Sequence, residues 1–151
     1  MILTKSTIIL LYINSSKFND ERPHVIATFP AYQSLYENLR TDGCDVSRWC
    51  PKLLDSGWCF NLEDFRSQLR SDTRILVVNF PHNPTGYIPS HETWLEIVNI
   101  CKERDILLFS DEMYRLTNND GTPPYPSACS LYDNAITLFA SRRHLDYRVC
   151  A

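Results

Sequence analysis

Two apolar runs of strand length, each ending abruptly in polar groups, constrain this chain more than any other feature. The first, Ile75 to Phe80, stops at Pro81 and opens into Asn83-Pro84-Thr85-Gly86. The second, Ile106 to Phe109, stops at Ser110-Asp111-Glu112, with Tyr114 close behind. A segment of helical period lies between them. Strand, helix, strand in that order predicts a right-handed parallel βαβ unit. Both polar clusters then fall at the carboxyl ends of neighbouring strands, the edge at which open α/β sheets bind ligands. An amide, a carboxylate and a phenol delivered to one place form the functional signal.

The bulk numbers narrow the class. A chain of 151 residues suffices for one domain with its own core. A net charge of −3 with 22% charged residues leaves no electrostatic footprint for nucleic acid. At 44% hydrophobic residues the chain is not of the disordered type. Its 6 cysteines contain no Cys-x-x-Cys, and Cys101 falls on the apolar side of the helix expected before the second run. Reduced thiols in a cytoplasmic protein are the expectation, with neither a disulfide framework nor a metal site. Ser6 to Ile13 is apolar but too short to span a bilayer. The polar Asn14-Ser15-Ser16-Lys17 that follows offers no small-residue cleavage site. It is read as a buried element, either helix or strand, and no membrane partner is expected.

Taken in order, Ser15 to Pro23 is a polar connection and His24 to Pro30 a strand ended by proline. Tyr32 to Arg40 carries apolar or aromatic residues at 32, 35, 36 and 39, a helical stripe stopped by Gly43. Cys44 to Trp49 reads as a short strand and Pro51 to Phe60 as a loop. Asn61 is the expected N-cap of a helix bearing Leu62, Phe65 and Leu69. Ser90 caps the crossover helix, whose inner side holds Trp94, Leu95, Ile97, Val98 and Cys101. Leu116 to Ala128 is rich in Asn, Gly and Pro and reads as a loop. Asn134 to Ala140 is a further buried strand. There is no internal repeat.

Several of these segments, in this order, resemble the large domain of fold-type-I pyridoxal 5′-phosphate (PLP) enzymes, the class I/II aminotransferases. Pro30-Ala-Tyr-Gln-Ser-Leu-Tyr-Glu37 resembles the segment that sets an aromatic ring on the cofactor. Asn83-Pro-Thr-Gly86 is similar to the family's Asn-Pro-x-Gly loop, and Ser110-Asp-Glu-Met-Tyr114 to its Asp-Glu-x-Tyr strand end. Asn134 to Ala140 resembles the strand leading to the family's Ser-x-Ser-Lys motif. The resemblance implies a three-layer α/β sandwich with a mostly parallel sheet, residues 1–151 being part of the large domain without the small C-terminal one. It implies PLP as cofactor, a homodimer, and amino-group transfer between an amino acid and a 2-keto acid.

The resemblance also implies roles. Asp111 would pair with the pyridine nitrogen and keep it protonated, so that the ring accepts electrons. Asn83 and Tyr114 would hydrogen-bond the ring's 3′ oxygen. Tyr32 would stack on the ring, a contact of about 0.5–1.5 kcal/mol. Each residue has a plainer reading. Asp111 could cap a loop, although a carboxylate following a buried run needs a partner. Asn83 could be a turn residue before proline; Tyr114 and Tyr32 could pack in the core. His82 reads as a loop residue and Glu112 as structural.

One requirement is missing. The family's cofactor-linked lysine would fall just past Ala140, where this chain reads Ser141-Arg142-Arg143-His144, and no lysine follows Lys102. Arg142 cannot replace it, because a guanidinium stays protonated and is not a nucleophile. A permitted codon choice for Ser141 onward, read from its third base, spells Ser-Lys-Ala-Ser-Gly-Leu-Pro-Gly-Leu-Arg, which resembles the lysine motif and the segment after it. A frameshifted, truncated and inactive aminotransferase domain is therefore the expectation, to be decided by the gene sequence. No glycine precedes Gly43, so the phosphate-binding turn expected near Ser6-Thr7 is also unmatched. The alternatives are a fold-type-I lyase, decarboxylase or racemase fragment, a non-catalytic ligand-binding or interaction module, and a non-functional product.

Overall fold

The computed structural model describes residues 22–115, 125–140 and 145–149. The apolar stretch Ser6 to Ile13, the segment 116–124 of the expected loop and residues 141–144 lie outside them. Strands β1 (His24–Thr28), β2 (Asp45–Trp49), β5 (Thr73–Asn79), β6 (Leu107–Asp111), β7 (Ala135–Ala140) and β8 (Leu145–Val149) form a sheet in the order β2-β1-β5-β6-β7-β8. Every neighbouring pair is parallel except β7 with β8. A separate hairpin pairs β3 (Lys52–Leu54) with β4 (Gly57–Cys59). The helices are α1 (Glu37–Thr41), α2 (Leu62–Gln68), α3 (His91–Glu103) and α4 (Ala128–Leu131).

The apolar runs form strands because their side chains alternate between opposed cores. Ile26, Leu76, Val78 and Leu108 face a cluster that includes Phe65 of α2, Trp94 and Ile97 of α3, and Ala128 of α4. Val25, Ala27, Ile75, Val77, Leu107 and Phe109 face the other, with Leu35 and Leu39. Helices on both faces of a mostly parallel sheet make an α/β sandwich. The expected caps form. The Asn61 side chain accepts from Glu63 N–H at the start of α2, and Ser90 accepts from Thr93 N–H at the start of α3.

Three expectations need correction. Pro51 to Phe60 is not a plain loop: β3 and β4 pair across Asp55-Ser56, with Leu53 opposite Trp58, and Gly57 takes the positive φ of +110° that the turn requires. The helix expected over Tyr32 to Arg40 is broken. A 3₁₀ turn at Gln33–Leu35 is separated from α1 by Tyr36, whose φ of −137° interrupts the helical path. Tyr36 instead sets its ring edge-on to Phe29 at 5.4 Å. The second strand outlasts its apolar run, for β6 continues through Ser110 and Asp111, paired with Val78 and Asn79. The last strand, β8, was not anticipated at all.

The topology locates a crevice. From β1 the chain moves to β2 on one side, then returns past β1 to β5 and proceeds to β6 and β7 on the other. The order therefore reverses between β1 and β5, and the carboxyl ends flanking that point are where such sheets bind ligands.

Candidate functional site at the carboxyl rim of the sheet

Strands β5 and β6 end in register, Asn79 opposite Asp111. Asp111 is 1% exposed, and its Oδ1 accepts from Met113 N–H at 3.4 Å. The loop after β5 brings Asn83 across, and Asn83 Nδ2 donates to the Tyr114 hydroxyl at 3.4 Å. Asn83, Gly86, Ile88 and Tyr114 line an open cleft of about 350 Å³ with Pro81 and His82. Tyr32 follows β1 at the same rim, outside the 3₁₀ turn it precedes, and is 62% exposed. The core-packing readings of Tyr32 and Tyr114 therefore do not hold, as both are exposed large aromatics. All the residues singled out in the sequence sit at or just beyond the carboxyl ends of parallel strands, Asp111 as the last residue of β6, and Asn83 and Tyr114 are in direct contact.

A larger cleft, about 560 Å³, opens beside Glu37, Arg40 and Asp45 at the amino end of β2. It lies on the opposite edge of the sheet and collects no comparable set of groups. Among the described residues no cluster could hold a metal ion, and no helix is long and apolar enough to cross a membrane.

The rim is held by residues that sequence reasoning passed over. Asn79 Nδ2 donates to the Asp111 carbonyl at 3.1 Å, while its Oδ1 accepts from Asn83 N–H at 2.9 Å. One buried carboxamide thus connects both strand ends. Its own N–H donates to Thr28 Oγ1 at 3.1 Å, tying in β1. His82, 2% exposed, is hydrogen-bonded through Nδ1 to Thr85 Oγ1 at 2.7 Å and through Nε2 to the Pro30 carbonyl at 2.8 Å. The one available signal was a polar residue near the end of an apolar run; Thr28, Asp111 and Pro30, which fix these two residues to other strands, lie far off in sequence. Glu112 is structural, as expected: it pairs with Arg115 at 2.6 Å and accepts from Ala128 N–H at 3.0 Å, binding the end of β6 to α4.

Two buried imidazoles make stability depend on pH. His24 is bonded to Thr73 Oγ1 at 2.7 Å and to Ser47 Oγ at 2.8 Å. Burial, then Arg70, lowers its pKa, against the opposing pull of Asp45 and Asp72. Burial likewise lowers that of His82, against its bond to Pro30. The unfolded imidazoles protonate near 6.5, before the folded ones do. Their contribution is therefore complete above that value and is lost as the pH falls through the folded pKa values. The urea midpoint should drop between about pH 7.5 and about pH 5.5, and less so in His24→Asn; a midpoint unchanged over that range contradicts the assignment.

The comparisons with known proteins agree with this geometry. Residues 7–141 match the family model "Aminotransferase class I and II". The chain belongs to the class I and II aminotransferase family. Among curated members, it is 28% identical over 114 residues to a probable aspartate/prephenate aminotransferase of Aquifex aeolicus, covering 76% of this chain and 29% of that one. It is 34% identical over 76 residues to kynurenine–oxoglutarate transaminase 3 of Rattus norvegicus, covering 50% and 16%. This aminotransferase-family chain thus spans under a third of the length of those relatives. Among solved structures, a PLP-dependent aminotransferase from Streptococcus suis superposes with a TM-score of 0.74 at 29% identity, over 90% of this chain and 35% of that one. A PLP-bound C–S lyase from Staphylococcus hominis shares the fold, with a TM-score of 0.72 at 22% identity, over 88% and 34%. The α/β fold that the resemblance implied is therefore present, and it is also the fold of a lyase.

Proposed function

We propose that this chain is part of the large, cofactor-binding domain of an aminotransferase and holds PLP at the carboxyl rim of its sheet. The family and its PLP-dependent structural neighbours support that cofactor. The observation that carries the reading is the in-register ending of β5 and β6, with Asp111 on one strand and Asn83 against Tyr114 beside it. The donor set fits the group. A buried carboxylate suits a protonated pyridine nitrogen, because an ionised partner strengthens the hydrogen bond and charge at that depth needs pairing. A carboxamide N–H and a phenol suit the 3′ oxygen of the same ring. When bound, PLP supplies an electron sink for bonds at the substrate's α-carbon.

The chain's own residues then divide the work. Asp111 holds the proton at the ring nitrogen. Asn83 Nδ2 and the Tyr114 hydroxyl donate to the 3′ oxygen, and Tyr32, exposed beside the loop, covers a ring face. Amino-group transfer between an amino acid and a 2-keto acid is the reaction of the lineage. For this sequence we propose cofactor binding without turnover. Of the described lysines, Lys52 is paired with Asp64 at 2.6 Å. Lys102 lies in the last turn of α3, the helix that returns the chain to the amino edge of the sheet, away from the rim. A C–S lyase has the same fold, so the fold alone does not select the reaction, and transfer rests on the family match.

Titrating the purified chain with PLP tests the proposal by absorbance. Saturable binding that dialysis reverses, with no cofactor fixed by borohydride, is expected. Absence of binding overturns the cofactor reading, and a specific reduced adduct at Lys52 or Lys102 overturns the absence of turnover.

A further inference from the structure

The His82 bonds have a direction. The Pro30 carbonyl can only accept, so His82 carries its proton on Nε2 and donates there. Nδ1 is then the acceptor for the Thr85 hydroxyl. The same hydroxyl oxygen accepts from Tyr87 N–H at 3.3 Å, which leaves its hydrogen free to point at His82. The result is a one-way chain from Tyr87 through Thr85 and His82 to Pro30. It joins the Asn83 loop, which closes with Gly86 N–H donating to the His82 carbonyl at 2.7 Å, to the segment after β1 that carries Tyr32. Phe60 meets the imidazole edge-on at 4.7 Å and Phe80 lies 6.5 Å away, so apolar rings wall it in. The titratable groups of that cluster are the Tyr87 phenol, pushed up to about 12 by burial, and the neighbouring Cys59 thiol.

We infer that His82 is a positioning residue that latches the Asn83 loop to the Tyr32 segment across the switch point between β1 and β5, setting the gap between the amide and the aromatic ring. The neutral imidazole, with one donor and one acceptor on opposite sides, is what closes the latch. Protonation would turn Nδ1 into a donor and strand the Thr85 hydrogen. The latch follows from geometry; its effect on the cofactor rests on the reading under Proposed function.

The test uses His82→Phe, which keeps an aromatic ring against Phe60 but removes both bonds, and Thr85→Val, which removes the hydroxyl alone. Amide hydrogen exchange of the full chain without PLP should quicken at Leu35, Asn83 and Gly86 in both variants, with β5 and β6 amides unchanged. PLP affinity should fall about tenfold in His82→Phe, the scale of one to two hydrogen bonds. The extra weakening of binding that wild type shows once the pH is well below the ordinary imidazole range should vanish in that variant. Faster exchange in the loops combined with no PLP binding by wild type supports the latch and overturns only the cofactor reading. Unchanged exchange at Leu35 and Gly86 in both variants overturns the latch, as does wild-type PLP affinity in His82→Phe.

Discussion

Asp111→Asn should weaken PLP binding by about tenfold to a hundredfold and leave the fold intact. The size follows from a hydrogen bond between charged partners, about 1.5–3 kcal/mol. The fold should survive because the substitution is isosteric and still offers Met113 N–H an acceptor at the position of Oδ1. The backbone carbonyl of residue 111 keeps its bond from Asn79. The neutral amide cannot hold a proton at the ring nitrogen, so the loss is specific to that atom. Equilibrium titration of both proteins with PLP, alongside their urea midpoints, checks this. Equal affinity in wild type and variant contradicts a role for Asp111 at the ring.

Trp49→Ala should cost about 3–5 kcal/mol of stability, the range for emptying a large buried aromatic site. Trp49 closes β2 and is fully buried. It stacks on Phe65 with centroids 5.1 Å apart and an interplanar angle of 27°. It meets Phe60 at 5.1 Å and Phe80 at 6.2 Å, both edge-on. Its Nε1–H also donates to the Asn61 carbonyl at 3.0 Å, at the start of α2. Removal leaves a cavity between sheet and helix and takes one of two donors from the Asn61 carbonyl, which keeps Phe65 N–H at 3.3 Å. Trp58, on the hairpin, is 44% exposed, and Trp58→Ala should stay within about 0.5 kcal/mol. Urea denaturation of both variants separates the cases; similar losses would contradict the packing described for β2.

The legible parts of this fold were those with a continuous physical signature. Ile75 to Phe80 and Ile106 to Phe109 read as strands because both faces of a central parallel strand are buried, leaving near-continuous apolar runs in which Asn79 is the one polar residue. That pair alone implied a common rim for Asn83 and Asp111. The hairpin at Lys52–Leu54 and Gly57–Cys59 escaped because strands this short carry too little alternation, although Asp55-Ser56-Gly57 is a turn signal. Leu145–Val149 alternates apolar and polar residues, which is the mark of a strand, yet the segment attracted comparison with a lysine motif instead. Tyr32 belonged to a convincing helical stripe; its exposure arises where Tyr36 breaks the helix, a tertiary choice made with Phe29 and Arg48, whose guanidinium lies 4.3 Å from the Phe29 ring. Asn79 and His82 act through partners 32 and 52 residues away, and no local pattern announces such bonds.

The most direct measurement is ¹⁵N NMR of PLP labelled at its ring nitrogen, bound to the chain near neutral pH. The nitrogen should show the shift of the protonated pyridine in wild type and move toward the unprotonated value in Asp111→Asn. An unprotonated ring nitrogen in the wild-type complex, or one shift common to both proteins, would contradict the pairing of Asp111 with the ring on which this account of the rim stands.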